Sequence, residues 1–257
     1  MSQLTASFTR TMKEFLRERA VLFWTVAWPI VWVIISSVAF TGEVPEAAVP
    51  YARGSITISM TVFALMMAGM TNLPSSITGD RQNGMLTKLM SMPISPRRDF
   101  MGRILALGIF SALAGGLVIG VGAAIGGRYT ASGWDIAIAV GFFVLIVAAS
   151  AGVGLLLATF IHRQEGAIMS GVGISVISAA ISGMFAPYGI LPTGLQAFSR
   201  FYPISAASNI IRYHLLGAEM TGYDPIGGGH LALAIALCLC LLVLGFVLYS
   251  RRAWQEE

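Results

Sequence analysis

Charged residues are few in this chain. Asp, Glu, Lys and Arg make up 11% of its 257 residues, against about a quarter in ordinary globular proteins. Lysine is almost missing: Lys13 and Lys88 are the whole supply, and they follow Met12 and Thr87. A Walker-type nucleotide site needs Gly-Lys followed by Ser or Thr, so that the ammonium reaches the phosphates. The chain therefore carries no such ATP site. Histidine is limited to His162, His214 and His230, with no HExxH pair for zinc. No GxSxG nucleophile elbow is present. These absences argue against an enzyme. Cys238 and Cys240 lie two apart in one apolar run; on a helix they point to different faces, which argues against a bridge between them.

What is present is apolar. More than half of the residues are hydrophobic, and mean hydropathy is +0.78. Six apolar runs, at about 20–40, 54–77, 103–127, 136–160, 167–186 and 230–250, are each near the roughly 20 residues needed to cross a bilayer. The first could be taken for a signal peptide, with Ser37-Val38-Ala39 as its cleavage site. It exceeds the usual h-region of about 7–15 residues, so a membrane span is the better reading. Away from their ends the runs hold almost no acidic or basic residue, which counts against an ion relay. The fold expected is an all-α membrane protein.

The basic residues sit at the ends of the runs rather than in a cluster, so topology explains them and nucleic acid is not implied. Arg10, Lys13, Arg17, Arg19, Arg81, Lys88, Arg97, Arg98, Arg103, Arg163, Arg251 and Arg252 fall on one side of the map. Arg53, Arg128, Arg200 and Arg212 fall on the other. The positive-inside rule puts the first group, both termini and the connector after span two in the cytoplasm.

Residues 1–18 are expected to form an amphipathic helix lying on the membrane. Leu4, Phe8, Met12, Phe15 and Leu16 make its apolar face; Arg10, Lys13, Glu14 and Arg17 make the face toward headgroups. The connector Asp80 to Pro93 is expected to hold a second amphipathic helix over Gly84 to Met92. Met85, Leu86, Leu89 and Met90 share one face, and Thr87, Lys88 and Ser91 the other. Asp80 would cap its start and Pro93 would stop it. Lipid or a soluble partner protein must cover that apolar face. One economical reading is a handle gripped by a soluble ATPase.

On the other side, Pro187 to Gly229 is the longest connection. Leu195–Phe201 and Ala206–Leu216 read as short helices, interrupted by Pro187, Pro192 and Pro203, and as a re-entrant pair dipping back before the last span. Tyr188, Phe198, Phe201 and Tyr202 could line an exit or anchor an aromatic belt. Arg212 could neutralise a headgroup or pair with Glu219. In span five Gly171, Ser175, Ala179 and Gly183 recur every four residues, and span three has Gly116–Gly120 and Gly122–Gly126. Small-residue ridges let helices approach closely, either inside one chain or at a dimer seam.

In order and spacing these residues resemble the ABC-2 type transporter permeases, the membrane halves of a class of ABC exporters. Asp80, Gly84, Leu86, Leu89 and Pro93 match the family's acidic-Gly-helix-Pro series after span two. Asp80 stands where Glu is usual, and Met85 where Thr is common. Phe185, Pro187, Leu191, Pro192, Tyr202, Pro203 and Arg212 fit a second series after span five. The resemblance covers nearly the whole chain. It implies residues 1–19 as an interfacial helix and 20–257 as a six-helix transmembrane domain, in the plasma membrane of a prokaryote. It makes residues 80–93 a coupling helix docked on a cytosolic ABC ATPase subunit, with Asp80, Arg81, Gly84, Leu86, Lys88, Leu89, Met90 and Pro93 as its contacts. ATP and Mg would be bound by that subunit, not by this chain. A second permease copy or paralogue would pair with this one. The ridge at Gly171, Ser175, Ala179 and Gly183 would then be a dimer seam. The re-entrant helices would cap the outer end of the path, with Phe185, Pro187, Tyr188, Pro192, Phe201, Tyr202 and Pro203 as an extracellular gate. Export of an amphipathic, lipid-linked or drug-like substrate is implied. A channel or ion-coupled carrier working without an ATPase is the alternative.

Overall fold

A computed structural model of the protein describes residues 3–39, 42, 45–85, 96–185, 192–217, 221 and 223–252. The described residues contain helices and turns and no strand. The helices run in order: α1 (Gln3–Arg17), α2 (Arg19–Ala39), α3 (Val49–Gln82), α4 (Pro96–Ala124), α5 (Gly133–Phe160), α6 (Gln164–Ile181), α7 (Thr193–Phe201), α8 (Pro203–Leu216) and α9 (His230–Arg252). Of these α2, α3, α4, α5, α6 and α9 are long and apolar enough to cross a membrane. Large apolar side chains on their outer faces, such as Val38, Leu113, Val144, Ile177 and Val243, are exposed, as lipid-facing positions should be.

Helix α3 is the pillar of the bundle. Its 34 residues would reach about 51 Å, well beyond a hydrocarbon layer of about 30 Å. Hydropathy alone ends this span near Ile77, yet every residue from 57 to 80 is buried. The polar tail from Ser75 to Asp80 continues the helix because protein, not lipid, covers it. Along the shaft, hydroxyls are satisfied inside the helix: Thr57, Ser59 and Thr61 donate to the carbonyls of Arg53, Ser55 and Thr57, each at 2.8 Å.

Prolines explain where α2 and α3 depart from regular geometry. A π turn over Phe23–Ala27 precedes Pro29, and one over Ala68–Asn72 precedes Pro74. Proline has no amide hydrogen and its ring crowds the carbonyl four residues back. Those carbonyls belong to Thr25 and Met70, inside the widened turns that absorb the clash. The two π turns meet: Thr25 Oγ1 donates to Asn72 Oδ1 at 3.2 Å, with both residues fully buried.

Small residues let other helices close on the α3 π turn. A Cβ on Gly154 of α5 would lie 2.2 Å from the carbonyl oxygen of Gly69, and one on Gly171 of α6 would lie 2.2 Å from that of Met70. Ser175 Oγ donates to Met70 Sδ at 3.3 Å, and Ala179 is fully buried. Gly171 and Ser175 of the α6 ridge thus pack against α3 of the same chain. In α4, Gly122 meets Thr57, while Gly116 and Gly120 face open space.

Candidate functional site

At the end of the bundle that carries the 86–95 connector, five charged side chains are drawn together. Helix α1 turns Ser7, Thr11 and Phe15 inward, one turn apart, and all three are buried. Gly102 of α4 permits this contact: a Cβ there would lie 2.7 Å from the Cβ of Ser7. Arg10 and Glu14 flank the inward stripe and point into the protein. Both stay part exposed, and their partners include residues of α3 and α4. Phe8 and Met12 pack against the apolar core at this end, while Leu16 is exposed.

Asp80 is the centre of the cluster. It lies in the last turn of α3, not at the start of a following helix, so its expected capping role is also corrected. Its carboxylate accepts from Arg103 Nη2 and pairs with Arg10 Nη2 at 3.0 Å. Arg103, 2% exposed, also donates through Nε to Asp99 Oδ2 at 2.9 Å and through Nη1 to Ser76 Oγ at 2.9 Å. Asp99 accepts from Ser7 Oγ at 2.8 Å. Ser76 Oγ donates to Glu14 Oε2 at 2.5 Å. Each nitrogen of the Arg103 fork thus meets an acceptor, as burial of a charge demands.

Three carboxylates (Glu14, Asp80 and Asp99) face two guanidiniums (Arg10 and Arg103). Burial pushes the Glu14 carboxyl above the usual glutamate range, against the opposing pull of the Ser76 hydrogen bond.

A cavity of about 220 Å³ opens beside the cluster, lined by Glu14, Glu18, Ser75, Asp80, Asn83 and Gln164 among others. Gln164, at the start of α6, donates from Nε2 to Ser75 Oγ at 3.1 Å, and a Cβ on Gly79 would lie 3.2 Å from its Oε1. Arg81 reaches the other way and donates to the carbonyl of Ala158, near the end of α5, at 3.3 Å. The lower end of α3 is thereby tied to α1, α4, α5 and α6.

Gly84 ends this helix. Its φ of +64° is a left-handed conformation suited to glycine, and its amide bonds back to the carbonyl of Arg81 at 3.2 Å. It terminates α3. Leu86, Lys88, Leu89, Met90 and Pro93 lie outside the described residues. So the structure gathers Asp80, Arg81 and Gly84 of the expected coupling set, and adds Ser7, Arg10, Glu14, Ser76, Asp99 and Arg103. Four of the additions carried a sequence signal: Arg10–Glu14 and Asp99–Arg103 are charge pairs four residues apart.

At the far end, the expected gate residues are spread out. Phe185 packs its ring against Trp32 and Phe63, with centroids 5.2 and 5.4 Å apart. Pro192 precedes α7, Phe201 is exposed, and Tyr202 stacks on Phe198 at 5.9 Å. Pro203 opens α8, where its missing amide hydrogen costs nothing. Pro187 and Tyr188 lie outside the described residues, as does Glu219. Arg212 does not reach a headgroup: it is buried against α3, and its Nη2 donates to Ser59 Oγ at 2.6 Å.

Set against known families, residues 2–216 match the family model described as ABC-2 type transporter. No curated protein matches the chain.

Proposed function

The chain belongs to the ABC-2 type transporter family, and from that premise we propose that it is the permease subunit of an ATP-driven exporter. It moves an amphipathic, lipid-linked or drug-like substrate out of the cytoplasm, using a separate cytosolic ABC ATPase that binds the ATP and Mg. Two permease copies, or this chain and a paralogue, pair in the plasma membrane with both termini cytoplasmic.

The observation that carries this reading is the buried ion-pair cluster. Asp80 and Arg103 stand on α3 and α4, the two helices that the 86–95 connector joins. A push on the connector reaches both helices at their ends. The cluster makes those ends, together with α1, one stiff body, because breaking the Asp80–Arg103 pair at its centre strands a buried charge. Movement of the partner is then passed on as rigid-body movement rather than lost in local bending. The apolar side chains Leu89 and Met90 supply the docking face, and Met suits a groove that changes shape. The two short helices α7 and α8 cap the outer end as a re-entrant pair.

The test is to purify the chain with its cognate ATPase and to substitute Leu89→Asp and Met90→Asp together. Loss of the complex and of transport is expected, with the six-helix fold intact by circular dichroism. A complex that survives the double substitution overturns the docking claim. Solute flux in liposomes that hold this chain alone would favour the channel or ion-coupled carrier instead.

A further inference from the structure

A second buried arginine has a setting opposite to that of Arg103. Arg212, on α8, is 6% exposed, and its hydrogen-bond partners are neutral: Ser59 Oγ at 2.6 Å and Asn209 Oδ1 at 3.4 Å. Its Nε has no partner, and neither does the hydroxyl of Ser208, 2% exposed and one turn away on α8. Among the described residues no carboxylate pairs with it. Asp135 is held by Ser132 and His214, and Asp224 by the amides of Ile226 and Gly227.

The position is deep. Ser59 lies ten residues after Val49, about 15 Å along the axis of α3. A buried charge with no counter-charge among the described residues is costly, and at membrane depth such a charge marks a functional site by default. The guanidinium is also the right shape. It offers planar donors that match two oxygens of a carboxylate or phosphate. Asn209 is held in place by donating from Nδ2 to Tyr223 OH at 3.2 Å, and the Arg200 guanidinium lies over the Tyr223 ring at 5.1 Å.

We propose that Arg212, with Ser208 and Asn209 beside it, recognises an oxyanion, the phosphate or carboxylate head of an amphipathic molecule, when α8 moves away from α3. In the present conformation α8 seals the guanidinium against Ser59. In the open one an oxyanion takes the place of Ser59 and engages Nε, with the Ser208 hydroxyl as a further donor. The cost of burying the guanidinium among neutral partners thus falls on the sealed state, and a bound oxyanion offsets it. This deepens the permease reading and rests on it, since it names the head group that the exported molecule carries.

The test uses the full chain in maltoside micelles, with unfolding followed by intrinsic tryptophan fluorescence. The probes are decyl phosphate, decanoate and decyltrimethylammonium, with inorganic phosphate alone and phosphatidic acid in nanodiscs as two further arms. Stabilisation by decyl phosphate or decanoate and not by the cation is expected. Response to inorganic phosphate would identify a soluble anion as the source, and response to phosphatidic acid a membrane lipid; either supports the shared chemistry. R212Q should weaken anion binding roughly ten- to a hundredfold, as loss of a charge-assisted hydrogen bond implies. R212M should raise the melting temperature without ligand and abolish the anion shift. S208A should weaken binding while leaving the melting temperature unchanged.

Anion binding that is equal in R212Q and wild type overturns the proposal, as does a wild-type chain that no anion stabilises. A fall in melting temperature or failure to fold in both R212Q and R212M would make Arg212 a structural strut and overturn it too. The ATPase is absent from this assay, so failure here leaves the permease reading standing. Survival of the complex in the Leu89/Met90 variant would remove that reading without touching the anion result.

Discussion

Asp80 and Arg103 pair inside the protein although 23 residues and the whole connector separate them. One closes α3, the other lies in the second turn of α4, and α1 lies across both. A charge pair in this position holds two membrane helices at a fixed spacing just where a soluble partner would push on them.

Removing one member should be costly. D80A leaves Arg103 with Asp99 alone, and a loss of about 3–5 kcal/mol in unfolding free energy is expected. The double variant D80A/R103M should recover part of it, since it no longer strands the cation. Denaturant titration of the purified chain measures both. In the complex, D80N should keep the ATPase bound while reducing transport per ATP hydrolysed.

Glu14 supplies a pH signature. Its carboxyl titrates above the usual glutamate range because of burial, so the folded protein holds this proton to a higher pH than the unfolded chain does. Stability is lost as pH rises from the ordinary glutamate value through the raised one, and regained on acidification. E14Q keeps the Ser76 hydrogen bond and removes the charge. It should melt higher than wild type at neutral pH, with the gap closing as pH falls to about 4. A gap that does not depend on pH would refute the assignment.

Thr25 and Asn72 join the two π turns. T25V deprives the fully buried Asn72 carbonyl of its donor, and the Asn72 Nδ2 already lacks a partner. A cost of about 1–3 kcal/mol is expected from the stranded amide. T25V/N72L, which removes both polar groups, should lie close to wild type. A double variant worse than the sum of its parts would show that the polar contact itself is required.

The α6 ridge separates packing from a seam. G171V must displace the Met70 backbone and should cost about 1–3 kcal/mol or more. Gly173 meets nothing within 4 Å, so G173A should be neutral or slightly stabilising. If G171V instead changes the oligomeric state and spares stability, the ridge belongs to an interface between copies.

Much of the architecture was legible in the chain itself. Hydropathy depends on composition over some twenty neighbouring residues, so the spans at 20–40 and 136–160 agree with Arg19–Ala39 and Gly133–Phe160 to within a few residues. Pro203 announced the break between α7 and α8 because its effect on the backbone is local. The missing Gly-Lys-Ser/Thr motif was equally a matter of adjacent residues.

What the tertiary structure decided was the meaning of the scattered polar residues. Arg103 reads in sequence as a topology charge, Asp80 as a cap or an ATPase contact, and Arg212 as a headgroup contact or a partner of Glu219. Folded, the first two become a buried pair, while the third is left among neutral partners. Nothing local distinguishes these cases. A charge at the end of an apolar run looks the same whether it meets water, lipid or another charge. Which of these it meets depends on helices far away in the chain and on the glycines that let them close in.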